Sequence, residues 1–149
     1  MSKPADTRKN YWIPVFVLAL ALAGGIVWAV ARWSDSGPWV APPEVRNLAD
    51  PIQPSPAELT AAKQLYLDRC ARCHGDQGKG DGPDAGMYKT PPGVLSNPDT
   101  VGRETDGELF WKIQEGRRPM PGFKKELTPN QCWELVNFIR TLTKSSAGS

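Results

Sequence analysis

The feature that most constrains this chain is Cys70-Ala71-Arg72-Cys73-His74. Two thiols three residues apart can each form a thioether with one of a porphyrin's two vinyl groups. The imidazole that follows lies under the macrocycle, where it can bind the iron. C-x-x-C-H is therefore read as the attachment site of one covalent haem c, through Cys70 and Cys73, with His74 as proximal iron ligand. His74 is the only histidine present. A structural zinc site would need further ligands that no second Cys/His pair supplies. A redox-active C-x-x-C belongs in a βαβ pattern, which is absent.

A second constraint lies at the N-terminus. Residues 13–31 form an apolar run without a charge, close to the roughly 20 residues that cross a bilayer. Tyr11, Trp12 and Trp33 flank it, and Lys3, Arg8 and Lys9 precede it. Aromatic belts and the positive-inside rule then predict a cytoplasmic tail over 1–12, a transmembrane anchor helix over 13–32, and everything beyond on the periplasmic side of the cytoplasmic membrane. Ala29-Val30-Ala31 resembles a signal cleavage site, but the run exceeds a usual signal-peptide core, so a retained anchor is expected. Ala21, Gly25 and Ala29 form a small-xxx-small face suited to close helix approach.

Residues 33–54 read as a Pro-rich linker, with prolines at 38, 42, 43, 51 and 54. Residues 34–54, fully extended, would reach on the order of 60 Å. The alternative is that the segment wraps the outer domain, since Val45, Leu48 and Ile52 are apolar enough to pack. Three helix starts follow. Ser55-Pro56-Ala57-Glu58 is a capping box with proline at the first helical position, and its helix should run to about Ala71. Thr105-Asp106-Gly107-Glu108 opens a second helix, closed by Gly116. Thr128-Pro129-Asn130-Gln131 opens a third, which carries Trp133, Val136, Phe138, Ile139 and Leu142 and should fray from Lys144 onward. No alternating strand pattern intervenes. An all-α domain over 55–144 is expected, with a disordered tail over 145–149. So small a domain is thin on core, and a covalent haem would add the missing apolar mass. Cys132, with no cysteine left to pair, reads as a buried small hydrophobe or an idle exposed thiol.

Met87 and Met120 are the internal methionines that could supply a sixth iron ligand. Met120 lies in Arg117-Arg118-Pro119-Met120-Pro121-Gly122-Phe123, where flanking prolines forbid helix and stiffen an extended loop. It stands far enough from His74 in sequence to return over the opposite haem face, so Met120 is the expected ligand. Arg117, Arg118, Lys124 and Lys125 flank it, either steering an acidic partner or serving as solvated loop charges. The whole chain carries 18 Lys+Arg against 16 Asp+Glu, net +2, which argues against nucleic-acid binding.

From Ala57 to Thr143 the chain resembles a class I monohaem cytochrome c domain. The residues that carry the resemblance are Tyr66 before Cys70-x-x-Cys73-His74-Gly75, the loop Gly78-Lys79-Gly80-Asp81-Gly82-Pro83, the segment Asp106-Gly107-Glu108-Leu109-Phe110-Trp111, and Met120-Pro121. The resemblance implies helices around one haem, with the first and last crossing at a small residue, here Ala62 in place of the usual glycine. It also implies a proline carbonyl that accepts the His74 Nδ1 hydrogen, from Pro92, Pro91 or Pro83.

Histidine and methionine together close both axial positions, leaving no site for a substrate and favouring electron transfer over catalysis. The expected function is single-electron transfer between redox partners at the outer face of the membrane, in a respiratory or photosynthetic complex. The resemblance suggests a quinol-oxidising complex, a terminal oxidase or a reaction centre as partner. The competing readings are a haem enzyme or gas sensor of peroxidase type with a labile sixth ligand, and a structural subunit whose haem only stabilises the fold.

Overall fold

The computed structural model describes residues 15–22, 24–26 and 37–147, in two compact units, 1–39 and 40–149. In the first unit the described residues 15–22 and 24–26 are helical, with apolar side chains such as Val15, Phe16 and Leu20 exposed. Among the described residues no helix is long and apolar enough to cross a membrane. The anchor expected over 13–32 lies partly outside them, as do the tail 1–12, the flanking aromatics and Ala29.

The second unit is helical, and its described residues contain no strand, only an isolated bridge between Arg117 and Met120. Helix α1 spans Pro56–Arg69 and a short α2 spans Ala71–His74; α3 spans Asp106–Glu115 and α4 spans Pro129–Ala147. Single 3-10 turns occur at Pro43–Val45, Ala85–Met87 and Val101–Arg103. Each long helix starts where its cap is written. Ser55 and Glu58 exchange backbone and side-chain hydrogen bonds, and Thr105 and Glu108 do the same. At α4 the Gln131 amide donates to Thr128 Oγ1, while the Thr128 amide donates to Gln131 Oε1. Each reciprocal cap satisfies two otherwise unpaired helix-end donors.

Two expected boundaries move. The first helix breaks at Cys70, and the C-x-x-C-H residues form a separate turn. The last helix continues through Ser145 to Ala147, past the point where fraying was expected.

The core lies between α1, α3 and α4. Ala62 and Tyr66 of α1 meet Cys132, Leu135, Val136, Phe138 and Ile139 of α4, with Leu109 and Ile113 of α3 closing one side. Ala62 is 1% exposed, a small side chain buried in this core. The Tyr66 and Phe138 rings sit 5.0 Å apart and tilted, while Phe110 stacks on Trp133 at 4.2 Å. The Tyr66–Phe138 spacing falls within the range where aromatic pairs gain energy beyond their burial. Cys132 is fully buried, the apolar alternative of the two sequence readings. Arg140 of α4 reaches the start of α3, donating to Asp106 Oδ1 at 2.7 Å and to the Val101 and Glu104 carbonyls.

The proline-rich segment packs on this body from Ala41 onward. Ala41 is buried, Ile52 lies against the core, and Asp50 accepts a 2.6 Å bond from Asn137. The wrapped alternative therefore describes residues 40–54 better than a free linker does.

Candidate functional site

The site begins with the turn Ala71–His74, whose last carbonyls have no partner inside so short a helix. A glycine-rich loop supplies the partners. The Gly75 amide donates to Ala71, Asp84 to Arg72, Gly82 to Cys73 and Gly80 to His74, at 2.8 to 3.2 Å. The chain can double back this tightly only through glycine. Gly75, Gly78 and Gly80 all take positive φ, and a Cβ on Gly82 would lie 2.4 Å from the Ala71 and Arg72 oxygens. Arg72 adds a fork to Asp84, with Nε 2.9 Å from Oδ2 and Nη2 3.3 Å from Oδ1. Tyr66 fastens the turn to α1 by donating from its hydroxyl to the Gly75 carbonyl at 2.7 Å. Gly78-x-Gly80-x-Gly82 is thus the scaffold of the C-x-x-C-H turn.

His74 is half-buried, with Nδ1 3.0 Å from the Gly93 carbonyl oxygen. This corrects the expected proline partner. The Pro92 carbonyl faces Gly80, only 2.9 Å from where a Cβ would stand there, and the next carbonyl along the chain turns to the histidine. Nδ1 is the donor in this bond, because a carbonyl oxygen can only accept. Nε2 then keeps its lone pair. Burial holds the imidazole below its ordinary pKa, partly offset by the Gly93 bond, so it favours the neutral form that binds metals.

Cys70 and Cys73 are half-buried free thiols. Burial, with Cys73 adding, pushes the Cys70 pKa up to about 12, so it stays a thiol rather than a thiolate. Two unpaired thiols, a neutral imidazole with Nε2 available and an adjoining apolar core form a donor set that suits a covalently attached haem. They fit no other metal centre: among the described residues no group of three His, Cys, Asp or Glu could hold an ion.

The second candidate ligand sits on a similar scaffold. Met120 is half-buried against the same core as Cys70. Its amide donates to the Arg117 carbonyl at 2.8 Å, closing the Arg117–Met120 bridge across a cis Arg118–Pro119 bond. The loop is pressed against the end of α3. Phe123 and Lys124 donate to the Ile113 and Gln114 carbonyls at 3.0 and 3.1 Å. Gly116, at φ 66°, and Gly122 let the two backbones meet, since a Cβ on Gly122 would lie 2.3 Å from the Glu115 oxygen. Met87 is 74% exposed on a 3-10 turn and packs on nothing in the core. Of the flanking cations, Lys124 is paired with Glu115 at 2.8 Å.

Sequence reasoning missed Gly93, Arg140 and the pairing of Gly116 with Gly122. The glycines after Glu115 and Pro121 were the visible signal for that close approach.

Comparison with known proteins agrees with this geometry. The family model described as Cytochrome c matches residues 59–143. No curated protein matches the chain. Among solved structures, a chain of the Kuenenia stuttgartiensis reducing HAO-like protein complex Kustc0457/Kustc0458 is 26% identical with a TM-score of 0.56. That match covers 64% of this chain, which spans about half, 49%, of that one. The KustC0563 c-type cytochrome is 27% identical over 54% of this chain and 95% of its own, with a TM-score of 0.47. Because the family model spans more than half of the sequence, including the attachment turn and the Met120 loop, this chain belongs to the cytochrome c family, whose members carry covalent haem c and transfer electrons.

Proposed function

We propose that this protein is a membrane-anchored, single-haem cytochrome c. It would carry electrons one at a time between redox partners on the periplasmic face of the cytoplasmic membrane, as a subunit of a respiratory or photosynthetic complex. The observation that carries the electron-transfer reading is the His74–Gly93 bond, 3.0 Å long, which sets the imidazole tautomer and leaves Nε2 for iron. Cys70 and Cys73 would hold the haem covalently, and His74 and Met120 would bind its iron. A bound haem supplies the one-electron ferric/ferrous couple. The chain's own contribution is rigidity: the glycine loop clamps His74, and the end of α3 clamps the Met120 loop. Iron ligands held this firmly would change little between oxidation states, and with both residues bound no place would remain for a substrate. The anchor rests on the uncharged run 13–31 with basic residues before it. Membership of a larger complex is supported by the likeness to a chain of a multi-protein complex.

The test is Met120→Ala in the haem-loaded full chain. The variant is expected to lose the weak red absorption band of a ferric iron–thioether bond, bind carbon monoxide when reduced, and shift to a lower potential. Met87→Ala should do none of these. Unchanged spectra in Met120→Ala would remove Met120 as ligand. Full carbon monoxide binding by the wild type would move the enzyme or sensor reading ahead. Haem protein found entirely outside the membrane fraction would remove the anchor.

A further inference from the structure

Two loops meet beside His74, and Gly80 lies where they touch. The Gly80 amide donates to the His74 carbonyl at 2.8 Å, so this residue is fastened to the backbone of the histidine itself. The second loop closes on its Cα. A Cβ there would stand 2.9 Å from the Pro92 oxygen, 3.7 Å from Val94 Cγ2 and 3.8 Å from the Gly93 oxygen. That last oxygen is the one 3.0 Å from His74 Nδ1. Gly80 also takes φ 74°, which alanine adopts only with strain. The second loop is held down just beyond this point. The Ser96 amide donates to the Gly78 carbonyl at 3.1 Å, and Thr143 Oγ1 of α4 donates to the Leu95 carbonyl at 3.2 Å. The Pro92–Gly93 peptide is therefore not free to retreat from a side chain added at Gly80. Gly93, by contrast, has open space where its own Cβ would be.

We propose that Gly80 is a positioning residue for electron transfer: lacking a side chain, it admits the Pro92 carbonyl and so aims the next one, that of Gly93, at His74 Nδ1. The inference rests on the single-electron carrier reading above. A carbonyl that accepts the Nδ1 hydrogen makes Nε2 the stronger electron donor, which favours the more positively charged ferric state. Gly80 thus holds the potential down through a backbone carbonyl rather than through a side chain of its own.

The test compares the haem-loaded full chain with Gly80→Ala, Gly80→Asn and Gly93→Ala. Asparagine tolerates positive φ better than alanine but still carries a Cβ, so it separates crowding from backbone strain. Proton NMR of the ferrous protein reads solvent exchange of the His74 Nδ1 hydrogen. Spectroelectrochemistry reads the ferric-to-ferrous ratio at a fixed poise. The wild type should exchange slowly. Both Gly80 variants should speed Nδ1 exchange about tenfold and lower the ferric-to-ferrous ratio about threefold, which is a rise in potential. Gly93→Ala keeps the carbonyl and should match the wild type in both readings. The sign separates positioning from mere loosening, because water admitted to the site would stabilise the ferric charge and lower the potential. Fast exchange in the wild type, unchanged exchange in both Gly80 variants, a lowered potential in either, or an equal shift in Gly93→Ala overturns the proposal. Loss of haem uptake by both Gly80 variants assigns the residue a structural role alone and overturns it too. Full carbon monoxide binding by the wild type removes the carrier reading, and Gly80's part in electron transfer with it. That failure is told apart from a failure of the carbonyl's aim, because Nδ1 exchange would still speed up in the Gly80 variants.

Discussion

The Tyr66 hydroxyl donates a 2.7 Å hydrogen bond to the carbonyl of Gly75, the residue immediately after His74. Tyr66 is fully buried under Phe138, and Gly75 takes the positive φ that starts the return loop. A single phenol thus links the α1–α4 crossing to the attachment turn. Tyr66→Phe keeps the ring and removes only this bond. Because the Gly75 oxygen retains the Gly78 amide, the loss should be about 1 kcal/mol. Denaturant unfolding of the haem-loaded protein measures it, and an unchanged midpoint would show that the bond does not contribute.

The same phenol predicts an alkaline limit. Burial raises the Tyr66 pKa well above its ordinary value of about 10, with Asp76 and Asp81 adding in the same direction. The unfolded chain therefore loses this proton first. The contribution to stability is complete below about pH 10 and falls as pH rises from there toward the folded value. Unfolding midpoints measured from pH 8 to 11.5 should decline more steeply in the wild type than in Tyr66→Phe.

Gly122→Ala tests the scaffold of the Met120 loop. Its Cβ would stand 2.3 Å from the Glu115 oxygen, a backbone atom that cannot swing away. The loop should lift from α3 and break the Phe123–Ile113 and Lys124–Gln114 bonds. A weakened iron–thioether band and partial carbon monoxide binding are expected while Met120 itself is still present. Gly86→Ala, with open space around its Cβ, is the control and should match the wild type.

Arg140 is the tie between the last helix and the start of α3. Arg140→Met should cost about 2–4 kcal/mol, because it abandons the Asp106 carboxylate and two backbone carbonyls together. Arg140→Lys should recover only part of that loss, since one ammonium cannot present a planar fork. Thermal unfolding of both variants checks the order. Equal stability of Lys and Arg at this position would contradict the fork.

Features whose partners lie within a few residues were legible before any folding was considered. The three capping boxes, the break after Glu115 at Gly116, and the adjacency of Cys70, Cys73 and His74 are of this kind. Their interactions are local, so spacing alone fixes them. The Pro-Met-Pro context likewise marked Met120 apart from Met87. Features that depend on distant segments emerged only from the packed fold. The carbonyl facing His74 belongs to Gly93 rather than a proline, because the direction of one peptide unit 19 residues away is set by how that loop packs on Gly78 and Gly80. The proline-rich segment wraps the domain because Gly107, an ordinary glycine in a capping box, leaves room for the Val45 carbonyl. Pattern and propensity describe a chain one turn at a time, whereas a close approach of two backbones exists only after both have been placed.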